Sequence, residues 1–264
     1  MMTLSIDQIR AAAPSVFAER PWDGTRPDTY RFVPTHEVLE LMQDQGFRVT
    51  RAIQSRSRIE GKAGFTRHML RLRHADFLDP GRGGEVPEIV LVNSHDKTSA
   101  YRLFSGVFRL VCANGLIVQS ADFGSFSIRH CGRRDLSAQI KDATARITDG
   151  IPDIMRQIAG WKGIDLDPPH QLAFAAEAWT LRPTPSIEPA DLLGARRAED
   201  APREEGVRDL WTTSQVIQEH LIRGGLSGST ARGRRVTTRA IRGVTADLAI
   251  NRSLWELTQR ISLN

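Results

Sequence analysis

Lysine is almost missing from this chain: Lys62, Lys97, Lys141 and Lys162 stand against 32 arginines. The cationic surface is therefore carried by arginine, whose planar fork suits bidentate contact with phosphate. The base composition of a source genome can also enrich arginine, so composition alone leaves both readings open. Cysteine is scarce as well. Cys112 and Cys131 form no C-x-x-C pair and no disulfide framework. Cys112 lies in an apolar run, where a free thiol acts as a small hydrophobe. A reducing, cytoplasmic setting is expected. No stretch reaches the roughly 18 uncharged apolar residues of a membrane span, so no membrane partner is expected. Met1 to Arg20 lacks a basic-then-apolar signal and carries Asp7 and Glu19. Aromatic content is 6%, low for a protein that binds single strands mainly by stacking bases.

What is present suits a folded chain. Hydrophobic residues make up 40% and charged residues 25%, with a net charge of +5 and a pI near 9.7. The order of patterns predicts an α+β fold: a mainly antiparallel sheet crossed by one long helix, with a helical C-terminal part. Three segments are expected: a leader over 1–33, a strand-rich core over 34–164 and a helical extension over 165–264. A proline-rich, acidic loop lies near 183–207, where Pro183, Pro185, Pro189 and Pro202 mix with Glu199, Asp200, Glu204 and Glu205.

Within the leader only Leu4–Ala13 looks helical, and Thr35 can cap a helix ending at Gly46. Phe47–Arg58 alternates in part. Phe65–His74 alternates clearly, with His68, Leu70, Leu72 and His74 on one face and Arg67, Met69, Arg71 and Arg73 on the other. Ile89–Val92 is apolar on both faces and reads as a buried central strand. A helix is expected next, capped by Asp96, Thr98 or Ser99, with Tyr101, Phe104, Phe108, Val111 and Cys112 as its core stripe and Asn114-Gly115 as its stop. Leu116–Val118 and Phe123–His130 are further strand candidates. From Leu136 to Trp161 isoleucines recur at near-heptad spacing, with Pro152 expected to kink or split the helix. Asp209–Arg223 and Val236–Ile261 read as helices, separated by a flexible Gly/Ser breaker at 224–229.

Catalytic patterns are weak. Asn93-Ser94-His95-Asp96 contains the residue types of a triad, but neighbours in extended chain point to opposite sides and cannot align nucleophile, base and orienter. His68 and His74 share a face yet lie about 20 Å apart along a strand, too far for one metal. Glu60-x-Lys62 resembles half of a metal-dependent nuclease site, with Asp44 or Asp76 needed as the second carboxylate, but it falls in a glycine-flanked turn. Gly81-Arg82-Gly83-Gly84 lacks the Lys-Ser/Thr of a nucleotide loop. No catalytic residue, metal or cofactor is assigned.

The basic clusters say more. Between Arg48 and His74 stand eight basic residues (Arg48, Arg51, Arg56, Arg58, Lys62, Arg67, Arg71, Arg73) and one acid, Glu60. Residues two apart on a strand are separated by about 6.6 Å, close to the phosphate spacing of an extended single strand. A second cluster, Arg223, Arg232, Arg234, Arg235, Arg239 and Arg242, lies in a segment with no acid from Arg223 to Gly243. A solvated sheet face and a solvated loop would look the same. Nucleic-acid contact is expected through Arg48, Arg56, Arg58, Arg67, Arg71 and Arg73, with Arg234 and Arg235 closing from the loop.

Val92-Asn93-Ser94-His95-Asp96, Tyr101-Arg102-Leu103-Phe104 and the run Gly106–Leu116 together resemble the signature of the domain-of-unknown-function 932 family. Phe65–His74, Ile128-Arg129-His130 and Asn251–Trp255 are similar to it as well, so the resemblance covers roughly residues 35–262. It implies a protein of plasmids, prophages and integrated elements with no settled activity. It marks Asn93, Ser94, His95, Asp96, Arg109, Cys112, Asn114 and Gly115 as recurrent positions without saying whether they bind or fold. The strand order also resembles, by analogy alone, the core of phage-type single-strand annealing proteins, which often form homo-oligomers. The expected function is thus a mobile-element protein that binds or anneals single-stranded DNA. The competing readings are a protein-interaction module acting on a host defence or replication factor, and a metal-dependent nuclease.

Overall fold

The structure is a computed structural model that describes residues 3–22, 32–77, 84–96, 99, 101–109, 114–118, 125–128, 136–184, 186–230 and 232–263. The chain folds as two compact units. One comprises Met1–Val111 with Ile117–Ile151, the other Cys112–Leu116 with Pro152–Asn264.

The first unit is built on an antiparallel sheet. Strands β1 (Phe47–Gln54), β2 (His68–His74), β3 (Glu85–Asn93) and β4 (Tyr101–Arg109) follow one another as a meander, β5 (Asn114–Val118) comes next in the chain, and β6 (Ser125–Ile128) lies beside β4. One face carries Phe47, Val49 and Ala52 from β1, Leu70 and Leu72 from β2, Ile89 and Leu91 from β3, and Tyr101 and Leu103 from β4. Against it pack α1 (Ile6–Ala12), α2 (Thr35–Asp44) and the first half of α3 (Leu136–Lys162), through Ile9, Leu39, Met42, Ile140, Ala143 and Ile147 among others. Each buried aliphatic side chain contributes about 1.5–3 kcal/mol. Ser5 starts α1 with a reciprocal cap: Gln8 N donates to Ser5 Oγ at 3.2 Å and Ser5 N to Gln8 Oε1 at 2.8 Å. Leu4 N then donates to Val49 O at 2.8 Å, tying the first residues to β1.

Residues 101–109 are a strand, not the expected helix. Their aromatics fit a spacing of three to four, but Tyr101, Leu103, Ser105 and Val107 also alternate. Pairing decides between the two periods, because Leu103 registers with Leu91 and Phe104 with Val90. Asn114-Gly115 accordingly opens β5 rather than stopping a helix. Cys112, Cys131, Thr98, His130 and the segment Pro80–Gly83 lie outside the described residues.

The second unit is helical. Trp161, near the end of α3, meets Trp211 of α5 (Leu210–Arg223) and Trp255 of α6 (Val244–Ile261), with ring centroids 6.0 and 4.6 Å apart. Pro152 sits inside an unbroken α3. Asp167 caps α4 (Pro168–Trp179) and Asp209 caps α5, each accepting from a backbone amide three residues on, at 2.9 and 2.7 Å. Short strands β7 (Asp165–Leu166) and β8 (Arg208–Asp209) pair beside them. The proline-rich loop buries Ile187, Leu192 and Asp200. Arg197 in that loop grips both carboxylate oxygens of Glu219 on α5, at 2.7 and 2.8 Å. The Gly/Ser segment is no flexible breaker: it forms β9 (Ser227–Ser229), paired antiparallel with β10 (Arg235–Thr237), so the last helix begins at Val244 rather than Val236.

Candidate nucleic-acid interface

Arginines on strands sort by what stands across from them. On the sheet face away from the core, β2 presents Arg71 and Arg73. The β2–β3 register pairs Arg71 with Val90, and its extension sets Arg73 opposite Glu88. Arg73 Nε donates to Glu88 Oε1 at 2.7 Å and Arg71 NH1 to Glu88 Oε2 at 2.9 Å. A bulge at Thr50 shifts β1 by one residue, so that Arg48 faces Arg73 and Arg51 faces Arg71. From there Thr50 Oγ1 donates to Arg71 O at 3.3 Å. Arg71 and Arg73 are 1% and 0% exposed. The expectation that they face phosphate is therefore corrected: they are buried, and both are paired with Glu88.

Other members of that cluster reach the surface. Arg48 is exposed, and its NH1 donates to Gln43 O and Phe47 O, both at 2.8 Å. Arg56 and Arg58 are exposed in the segment after β1, without an ion pair among the described residues. Arg67 is half-buried just before β2. Glu60 is exposed in a turn, and the carboxylate that Lys62 Nζ meets, at 3.2 Å, is that of Asp96 rather than the expected Asp44 or Asp76. Among the described residues no three His, Cys, Asp or Glu converge on a metal-sized site.

The β9–β10 ribbon is the more regular basic surface. Its register sets Arg235 opposite Ser229, Val236 opposite Gly228 and Thr237 opposite Ser227. Alternation turns Ser227, Ser229, Arg235 and Thr237 outward, all of them exposed, and Gly228 and Val236 toward the body. Gly228 lies so close to the backbone of Ser186 that a Cβ would meet Ser186 O at 1.6 Å. The ribbon turns at Gly233, whose φ of 75° suits glycine. Arg182 holds its base by donating to Leu221 O and, at 2.6 Å, to Arg239 O, while Arg196 donates to Gly224 O. Arg232, Arg234, Arg235, Arg239 and Arg242 are all exposed, and none has an ion pair among the described residues. The two arginine clusters belong to different units.

The motif Asn93-Ser94-His95-Asp96 forms the turn after β3, not a helix cap. Extending the registers aligns Gln54, His68, Asn93 and Tyr101 in one row across β1–β4, on the core face. Ser15 and Thr35 close over that row. Ser15 Oγ is 2.8 Å from His68 Nδ1, and Thr35 Oγ1 is 2.9 Å from His68 Nε2 and 3.2 Å from His95 Nε2. Asn93 Nδ2 donates to Thr35 Oγ1 at 3.1 Å. A hydroxyl offers one proton and two lone pairs, so Thr35 spends all its capacity on three partners. Ser15, Thr35, His68, Asn93, Ser94 and His95 are each 0% exposed. Burial pushes His68 down to about 4, against the smaller opposing effects of Thr66 O and Asp96. Burial likewise pushes the Tyr101 phenol up. Sealed from solvent, the serine, threonine and histidines are hydrogen-bonded to one another inside the fold. Of the remaining motif positions, Arg109 ends β4 and Asn114 and Gly115 open β5. Sequence reasoning missed Ser15, the role of Thr35 (expected as a helix cap, although Pro34 stands at the cap of α2) and Glu88. His68, a polar residue on an apolar face, was the one signal of the first two.

The family profile described as a domain of unknown function, DUF932, matches residues 24–255, a span that includes the motif row and the ribbon. The chain belongs to this family. Its curated relatives include the UPF0380 proteins YafZ and YfjQ of Escherichia coli strain K12, 37% and 36% identical over 261 residues. Each match covers 98% of this DUF932 chain and 91% of the relative. No solved structure matches it. No helix among the described residues of this DUF932 protein is long and apolar enough to cross a membrane.

Proposed function

We propose that this DUF932 protein binds the phosphate backbone of nucleic acid, single-stranded DNA first, in the service of a mobile element. The observation that carries the reading is the β9–β10 ribbon: five exposed arginines on and beside it, in a segment without an acid from Arg223 to Gly243. Its outward residues alternate at about 6.6 Å, near the phosphate repeat of an extended strand. Hydroxyls of Ser227, Ser229 and Thr237 supply neutral donors between the charges. Arg56 and Arg58 offer a second basic patch, while Arg71 and Arg73 drop out of the contact set. Contacts of this type are tolerant of sequence and sensitive to salt.

The test is binding of labelled single-stranded and duplex oligonucleotides across a salt series. The double variant Arg234→Gln/Arg235→Gln is expected to weaken single-strand binding and to flatten the log–log salt slope by about 1.4, at roughly 0.7 per phosphate contact. Arg252→Gln, which removes an arginine paired with Glu256 at 2.8 Å, leaves the slope unchanged. Equal slopes for wild type and the double variant, with both folded, would sink the reading. Binding to neither oligonucleotide at low salt would favour the protein-interaction alternative.

A further inference from the structure

The row Phe47–His74–Pro87 lies at the opposite end of the core face from the Gln54–Tyr101 row. Phe47 registers with His74, and extending the β2–β3 register places Pro87 opposite His74. Here the sheet and α3 do not close on each other. They leave a cavity of about 460 Å³, walled on the helix side by Thr144, Ala145, Thr148 and Asp149. That volume suits a small organic molecule. The floor is preformed. His74 meets Phe47 edge-on at 5.3 Å, and a Cβ on Gly46 would sit 2.7 Å from His74 Nε2.

Charge narrows the ligand. Among the described residues no lysine or arginine lines the cavity, whereas Asp76, 3.2 Å from His74 Nδ1, and Asp149 do. The Glu88 carboxylate is already held by Arg71 and Arg73. Asp149 is exposed and has no ion pair among the described residues. Gln45 donates its amide to Leu41 O at 3.1 Å, which leaves its carbonyl oxygen as a further acceptor. An apolar floor of Phe47, Pro87 and Ile89 beneath acceptors and carboxylates repels phosphates and carboxylic acids. We propose that this cavity binds a small organic cation: a ring-sized apolar body against Phe47 and Pro87, with an amine directed to Asp149. The site is independent of the arginine ribbon.

The test uses the full chain and two probes of matched shape and opposite charge, 2-phenylethylamine and phenylacetate, titrated by ligand-observed NMR. The amine is expected to bind at least about tenfold more tightly than the acid, the order expected of a partly exposed carboxylate neighbour. Asp149→Asn should remove most of that preference. Ala145→Phe grows from an exposed position into the cavity, so it should abolish amine binding while the unfolding midpoint stays in place. Equal binding of acid and amine, undiminished binding in Ala145→Phe, or binding of neither probe would overturn the proposal.

Discussion

Arg71 and Arg73 lie 1% and 0% exposed on either side of Glu88, while Arg234 and Arg235 stand in solvent on a ribbon whose segment holds no acid. Both pairs sit beside or within short strands, and both come from runs rich in arginine. What separates them is the residue across the ladder. Glu88 faces β2, so those guanidiniums turn inward and complete a buried ionic cluster. Ser229 and Ser227 face β10, so its cations have nowhere to go but outward. A basic run is therefore left open to solvent only where no acid is aligned with it, and alignment is a property of pairing rather than of local composition.

The largest expected effect comes from breaking the inward pair. Glu88→Ala removes the carboxylate that two buried guanidiniums share and should cost about 3–5 kcal/mol in chemical denaturation. Replacing the trio together, as Arg71→Met/Arg73→Met/Glu88→Leu, should recover most of that stability and leave oligonucleotide binding unchanged. A loss of binding in the folded triple variant would return Arg71 and Arg73 to the interface.

Acid separates the two regions next. His68 titrates at about 4 in the fold and near 6.5 in the unfolded chain. The unfolded state thus binds the extra proton first. The stability that His68 contributes is complete above about pH 6.5 and drains away as pH falls toward 4, by about 3 kcal/mol in all. Unfolding midpoints across this range should slope for wild type and flatten in His68→Gln, while the oligonucleotide affinity of the folded fraction stays level.

Gly228→Ala drives a methyl group into Ser186 O and should cost about 1–3 kcal/mol. Amide exchange should then quicken in β9 and β10 before it does in β1–β4. Smallest of all is the stability effect of Arg234→Gln/Arg235→Gln: the midpoint should not move, although binding should. A matching drop in both would mean that the ribbon arginines hold the fold together.

Much of this architecture can be read from local pattern. The alternation at Phe65–His74 separates the leucine face from the arginine face, Ile89–Val92 is a central strand, and the isoleucine spacing predicts α3 through to Trp161. The errors share one cause. Tyr101–Arg109 satisfies helical and strand periods alike, and only its register with β3 chooses between them. The charge count over Arg48–His74 ends before Glu88, the acid that decides where Arg71 and Arg73 point. The Gly/Ser segment reads as loose because glycine's reason for being there, the approach to Ser186, lies some forty residues back in the chain. The exposed positions of Arg56, Arg58, Arg234 and Arg235 are legible in the sequence. The roles of Thr35 and Ser15 are not, since each acts on a histidine far away in sequence.

The row Gln54–His68–Asn93–Tyr101 acts as an alignment gauge for the sheet. Side chains alternate faces with each residue, so a slip of β2 by one position would carry His68 out of reach of Ser15 and Thr35. Ser15 and Thr35 would then remain buried with their hydrogen-bonding capacity unmet. Leucines and valines elsewhere on this face tolerate many neighbours and would not object to such a slip. The polar row does object, and so it selects one pairing out of several that hydrophobic burial alone would accept.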